Sequence, residues 1–105
     1  MYKRQWLKVL EYSPKPNALK EVSVNGVELV LTNVKGRLYC FENRCPHEEV
    51  RLSLGCIKNK KIKCALHGYS FNLETGWSSE ENLERLKIYQ VKREKSGIFI
   101  EMEDC

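Results

Sequence analysis

The only two histidines of this 105-residue chain stand at the ends of one stretch, Arg44 to Phe71, and each follows closely on a cysteine. One end reads Cys45-Pro46-His47 and the other Cys64-Ala65-Leu66-His67-Gly68, with 16 residues between His47 and Cys64. Two soft sulfur donors and two imidazoles suit either a tetrahedral zinc ion or an iron-sulfur cluster in which two histidines replace two cysteines on one iron. The spacing favours the cluster. Structural zinc is usually gripped by ligand pairs about two to four residues apart, because the turn between them must aim both at one metal. Between Cys45 and His47 there is only Pro46. When the two side chains go to different irons, that tightness is no obstacle. A zinc-stabilised binding module without a redox role remains the alternative.

The elements that must position these residues read as short strands separated by turn signals, so the chain is expected to be an antiparallel all-β domain. Trp6 to Leu10 is a first strand, and Ser13-Pro14-Lys15-Pro16-Asn17 breaks it into a loop. Glu21 to Val24 and Val27 to Asn33 flank Asn25-Gly26, a dipeptide typical of a two-residue type I′ hairpin. Lys35-Gly36 returns the chain through Arg37 to Glu42. Residues 43–72 carry both cysteine-histidine boxes on loops, and Cys56 to Lys58 with Lys61 to Lys63 makes a short hairpin between them. After the turn Glu74-Thr75-Gly76, Trp77 to Leu83 is expected to be a loop or one helical turn. Arg85 to Arg93 and Ile98 to Met102 then form a last hairpin around Ser96-Gly97. The division is a scaffold of 1–42 and 73–105 with a metal-binding insertion at 43–72, within a single domain 1–105.

Composition narrows the function classes. No apolar run is long enough for a signal-peptide core or a membrane span, so a soluble cytoplasmic protein is expected. Five cysteines, an odd number, do not make a complete disulfide framework. Cys40 and Cys56 read as packed thiols, and Cys105 is the last residue. The net charge is +4, and the densest basic run is Lys58-Asn59-Lys60-Lys61-Ile62-Lys63. It lacks the interleaved aromatics of a nucleic-acid site and reads as a solvated hairpin turn with Asn59 at its tip. A mononuclear iron oxygenase site would need two further histidines and a carboxylate. Both histidines are already in use, so the chain is not expected to be an enzyme.

The pattern C-x-H, sixteen residues, C-x-x-H, with Gly68 and Phe71 after the second box, resembles the Rieske-type 2Fe-2S centre. In length, in the opening Trp6-Leu7-Lys8-Val9 and in the strands after the second box, the chain is similar to the small soluble Rieske ferredoxins of multicomponent aromatic dioxygenases and monooxygenases. The resemblance implies the Rieske fold of three stacked antiparallel sheets with an inserted cluster-binding subdomain. It implies one 2Fe-2S cluster, with Cys45 and Cys64 on one iron and His47 and His67 on the other, bound through Nδ1 with Nε2 facing solvent. It implies a monomeric one-electron carrier between a flavin-dependent ferredoxin reductase and a terminal oxygenase or hydroxylase. A small subunit similar to that of nitrite reductase is a second role for the same fold.

High-potential members of that family carry a disulfide between the two loops, and a serine and a tyrosine whose hydroxyls donate to the cluster sulfurs. The corresponding positions here are Val50 and Leu66 for the disulfide, and Tyr69 and Phe71 for the hydroxyls. Fewer donors to sulfur stabilise the reduced state less, so the resemblance implies a potential near about −150 mV, the low end of the histidine-ligated range. The family's proline after the second cysteine is replaced by Ala65. For docking, Glu48, Glu49, Arg51 and Lys63 flank the boxes and are candidates for steering a partner.

Overall fold

The computed structural model describes residues 3–46, 50–65, 68–78 and 84–104. Ten strands run in chain order: β1 Lys3–Leu10, β2 Lys20–Val24, β3 Val27–Val34, β4 Arg37–Glu42, β5 Cys56–Lys58, β6 Lys61–Lys63, β7 Ser70–Asn72, β8 Ile88–Tyr89, β9 Val91–Glu94 and β10 Gly97–Asp104. A 3₁₀ turn, Leu52–Leu54, precedes β5. All pairings between these strands are antiparallel, in three sheets ordered β1-β10-β9, β2-β3-β4-β8 and β5-β6-β7.

Strand alternation explains how the sheets stack. In β3, Leu29 and Leu31 point to one side and Val30 and Val34 to the other, and all four are buried. Leu29, Leu31 and Cys40 pack with Ile98, Ile100 and Met102 of β10. Val30, Tyr39 and Phe41 pack on the opposite side with Ile62 and Phe71 of the third sheet. The four-stranded sheet is therefore the middle layer, apolar on both faces, with the other two sheets above and below it. Burial on both faces is why the centre of β3 reads Leu29-Val30-Leu31, three apolar residues in a row, rather than alternating. One polar side chain is caught in it: the Thr32 hydroxyl is buried with no hydrogen-bond partner among the described residues.

The first two hairpins turn as their sequences indicate. Asn25 and Gly26 have φ of 51° and 80°, and Lys35 and Gly36 have 52° and 87°, the positive pair that a type I′ turn requires. Asn59 and Lys60 do the same between β5 and β6, at 52° and 60°.

The end of the chain differs from expectation. Arg85 to Arg93 is not one strand of a hairpin: Ile88–Tyr89 pairs with β4 in the middle sheet, and Val91–Glu94 pairs with β10 in the outer one. The chain crosses between sheets at Gln90, whose carbonyl accepts the Glu101 N–H at 3.0 Å. The turn itself lies at Lys95 and Ser96, because Gly97 already pairs with Glu94. β10 continues along β1, joining the two ends of the chain in one sheet. Ser70–Asn72, too short to show alternation, adds β7 to the third sheet, and Ser78 bridges back to Phe71. The rest of the expected Trp77 to Leu83 segment lies outside the described residues. Among the described residues no helix is long and apolar enough to cross a membrane.

Candidate metal centre

One loop lies between β4 of the middle sheet and the 3₁₀ turn, the other between β6 and β7 of the third sheet, and each begins at a cysteine. The Cys45 N–H donates to the Val50 carbonyl at 2.9 Å, and the Cys64 N–H donates to the Tyr69 carbonyl at 2.7 Å. Each bond runs from the cysteine to the residue five positions on, so the two loops are closed alike. In the second, the Gly68 N–H also donates to the Cys64 carbonyl at 3.1 Å. Gly68 has φ of +72°, a conformation costly for a residue with a side chain, and a Cβ there would lie 3.3 Å from the Lys63 Cε.

Both cysteines are buried and belong to one apolar cluster with Leu52, Ile62, Phe71 and Leu73. The fold brings two sequence-distant sulfurs into the same apolar cluster, each at the root of a closed loop. Two soft donors sheltered from water suit a pair of thiolate ligands to iron or zinc. His47 and His67, and with them Glu48, Glu49 and Leu66, lie outside the described residues. The remaining cysteines separate cleanly. Burial pushes the Cys40 thiol up to about 12, so it stays protonated and acts as a packed apolar group. Cys56 is exposed, contrary to its reading as a packed thiol, because Ile57 takes the inward position in β5 and turns its neighbours outward.

The first loop is tied to the middle sheet by a polar network that sequence reading missed. Asn43 is buried, its N–H donates to the Glu28 carbonyl at 2.9 Å, and its Oδ1 accepts the Ser53 N–H at 2.9 Å. The Glu21 Oε2 accepts from Asn43 Nδ2 at 2.7 Å, Ser53 Oγ at 2.8 Å and Arg51 Nη1 at 2.8 Å. Arg51 reaches Glu28 as well, through Nη2 at 3.1 Å. These donors, Ser53 first, then Arg51 and Asn43, hold the Glu21 carboxyl below its ordinary pKa. Arg51, which from sequence is a candidate for steering a partner, is thus engaged within the chain. Its partners are 30 and 23 residues away along the chain, so no local pattern announces them.

The second missed residue is Gly55. A Cβ there would sit 1.9 Å from the Lys63 carbonyl oxygen, so only glycine lets the 3₁₀ turn after the first loop lie against the strand that leads into the second. The one sequence signal was a glycine directly ahead of a strand.

A family model described as the Rieske [2Fe-2S] domain matches residues 5–90. The ferredoxin component of the naphthalene 1,2-dioxygenase/salicylate 5-hydroxylase systems of Ralstonia sp is 36% identical, over 78% of this chain and 80% of its own. The ferredoxin component of the naphthalene 1,2-dioxygenase system of Pseudomonas putida is 34% identical, over 77% of this chain and 79% of its own. Among solved structures, the Sphingomonas yanoikuyae B1 ferredoxin superposes with a TM-score of 0.84 at 26% identity, covering 93% of this chain and 99% of that one. A chain from the complex of reduced oxygenase and oxidized ferredoxin in carbazole 1,9a-dioxygenase gives a TM-score of 0.81 at 28% identity, covering 90% of this chain and 91% of that one. Three stacked antiparallel sheets, two cysteine loops closed by equivalent backbone bonds and these matches together place the chain in the Rieske [2Fe-2S] domain family.

Proposed function

We propose that this protein is a one-electron carrier that binds a single 2Fe-2S cluster through Cys45, His47, Cys64 and His67. In this reading residues 43–72 form the cluster-binding insertion and 1–42 with 73–105 form its scaffold. The chain takes electrons from a flavin-dependent ferredoxin reductase and gives them to a terminal oxygenase or hydroxylase, as a monomer in the cytoplasm. The observation that carries this is the pair of buried cysteines, each heading a loop closed by the same backbone bond. The oxygenase partner is supported by the relatives, which are named as ferredoxin components of dioxygenase systems; the reductase is what the family resemblance implies.

When bound, a cluster with two thiolate and two imidazole ligands stores one electron at a potential of about −150 to +300 mV. The residues of this chain determine where in that range it falls. Phe71 is fully buried among the same side chains as both cysteines and has no hydroxyl to donate to a sulfur. Leu52, Ile62 and Leu73, also fully buried, keep water from the cysteine side of the site. With few donors and a dry apolar wall, the reduced form gains little stabilisation. The midpoint should lie near about −150 mV, and a titrated value above about +100 mV contradicts this account of the site. Iron and acid-labile sulfide should be found in equal amounts, two of each per chain, and Cys64→Ala should lose both. Stoichiometric zinc with no sulfide would instead support the binding-module alternative.

A further inference from the structure

The run Lys58-Asn59-Lys60-Lys61-Ile62-Lys63 gains a different meaning once its strands are paired. Cys56 pairs with Lys63 and Lys63 with Ser70, while Lys58 pairs with Lys61 and Lys61 with Asn72. Ile57, Ile62 and Phe71 form the row between them and face the core. Alternation therefore puts Lys58, Lys61 and Lys63 on one outward face, with Lys60 at the turn and no carboxylate among the six outward residues of the three strands. All four lysines are exposed, and among the described residues none has an ion-pair partner.

Elsewhere the charge is balanced. The chain has 18 basic and 14 acidic residues, so the four lysines of this sheet equal its whole net charge of +4, and the rest of the chain is neutral. The excess also sits beside the metal centre: Lys63 leads directly into Cys64, and its side chain lies over Gly68 in the second loop. A one-signed face next to a redox site steers oppositely charged partners toward that site. A nucleic acid would want aromatic platforms for its bases, and this face offers only Cys56, Ser70 and Asn72 between the lysines.

We propose that the outward face of β5-β6-β7 is the docking surface for a carboxylate-rich face of a protein redox partner, with Lys58, Lys60, Lys61 and Lys63 as its contacts. The proposal rests on the carrier reading above and adds the chemistry of what the carrier meets.

The test uses small redox reagents in place of the partner. The dithionite-reduced protein is mixed in stopped flow with ferricyanide, a trianion, and with tris(phenanthroline)cobalt(III), a trication, at low and high salt. For the native chain, added salt should slow the ferricyanide reaction and speed the cobalt one. The variant K58E/K61E/K63E should invert both trends and slow ferricyanide at low salt by roughly ten-fold or more. The EPR spectrum, retained in the variant, shows that fold and cluster survive; Lys61→Glu alone should give a smaller change of the same sign. The control K20E/R93E/K95E alters net charge equally on β2, on β9 and at the turn after β9, and should keep the native trends. Native trends in the K58E/K61E/K63E variant, or inverted trends in the control, would overturn the proposal.

The nature of the partner is read separately on an immobilised polyglutamate peptide and on a single-stranded oligonucleotide of equal charge. Polyglutamate should hold the native chain and the control and release the K58E/K61E/K63E variant. Tighter binding to the oligonucleotide would overturn an acidic protein as the occupant. A colourless protein that still binds polyglutamate through these lysines would mean that the carrier reading had failed and the charged face had not.

Discussion

The two cysteine loops are closed by the same backbone bond and root in one apolar cluster, and the first is in addition tied down by a polar network. Cys45 to Val50 is fixed by polar contacts, from Asn43, Arg51 and Ser53 to the Glu21 and Glu28 carboxylates and the Asn43 amide. Cys64 to Tyr69 continues a sheet whose inward row, Ile62 and Phe71, is completely buried against the middle layer. Directional bonds near the surface fix geometry but stay open to protons and salt. Apolar burial fixes position with no charge to titrate. The two loops should therefore fail under different conditions.

The largest effect is expected where apolar support is removed. Phe71→Ala leaves a cavity under the second loop and should cost about 3–5 kcal/mol in a urea melt, with little dependence on pH. A loss below about 1 kcal/mol would mean that burial does not hold that loop. On the polar side, Asn43→Ala strips the Ser53 N–H of its acceptor and Glu21 of a donor, and should cost about 1–3 kcal/mol. Thermal melts across a salt series would sharpen the contrast, since the loss should include the salt-dependent part of the native stability and that of Phe71→Ala should not.

A third change separates the loops by pH. Because the folded Glu21 carboxyl lies below its ordinary value of 4.5, its contribution is present above that value and is lost as pH falls through the folded pKa. Glu21→Gln should flatten this part of the acid limb in a melting-temperature profile, while Phe71→Ala shifts the profile without changing its shape. Parallel profiles for native protein and Glu21→Gln below pH 4.5 would remove the polar network from the account. The smallest effect lies in β3 of the middle sheet, away from both loops. Thr32→Val replaces a buried hydroxyl that has no partner among the described residues and should stabilise the fold by about 1 kcal/mol without altering either loop; a loss would imply that the hydroxyl has a partner.

This contrast also marks what was legible in the sequence. The apolar half was largely readable: the Lys61-Ile62-Lys63 alternation, Asn25-Gly26 and the paired boxes are local patterns whose physics acts over a few residues. The polar half was not, since Glu21 and Arg51 meet only through folding and neither looks unusual among its neighbours. Gln90 shows a further limit. The segment around it looks like one continuous strand, and the change of sheet there depends on partners in β4 and β10. Cys56 was misjudged although its alternation with Ile57 was available, because burial was inferred from residue type rather than from register.

The central claim is that both loops grip one histidine-ligated 2Fe-2S cluster. It is tested most directly by visible and EPR spectra of the purified protein before and after dithionite reduction. The account predicts a brown protein that is EPR-silent when oxidised and, when reduced, shows the low average g of a cluster with two histidine ligands. A colourless, EPR-silent protein that contains stoichiometric zinc would contradict it.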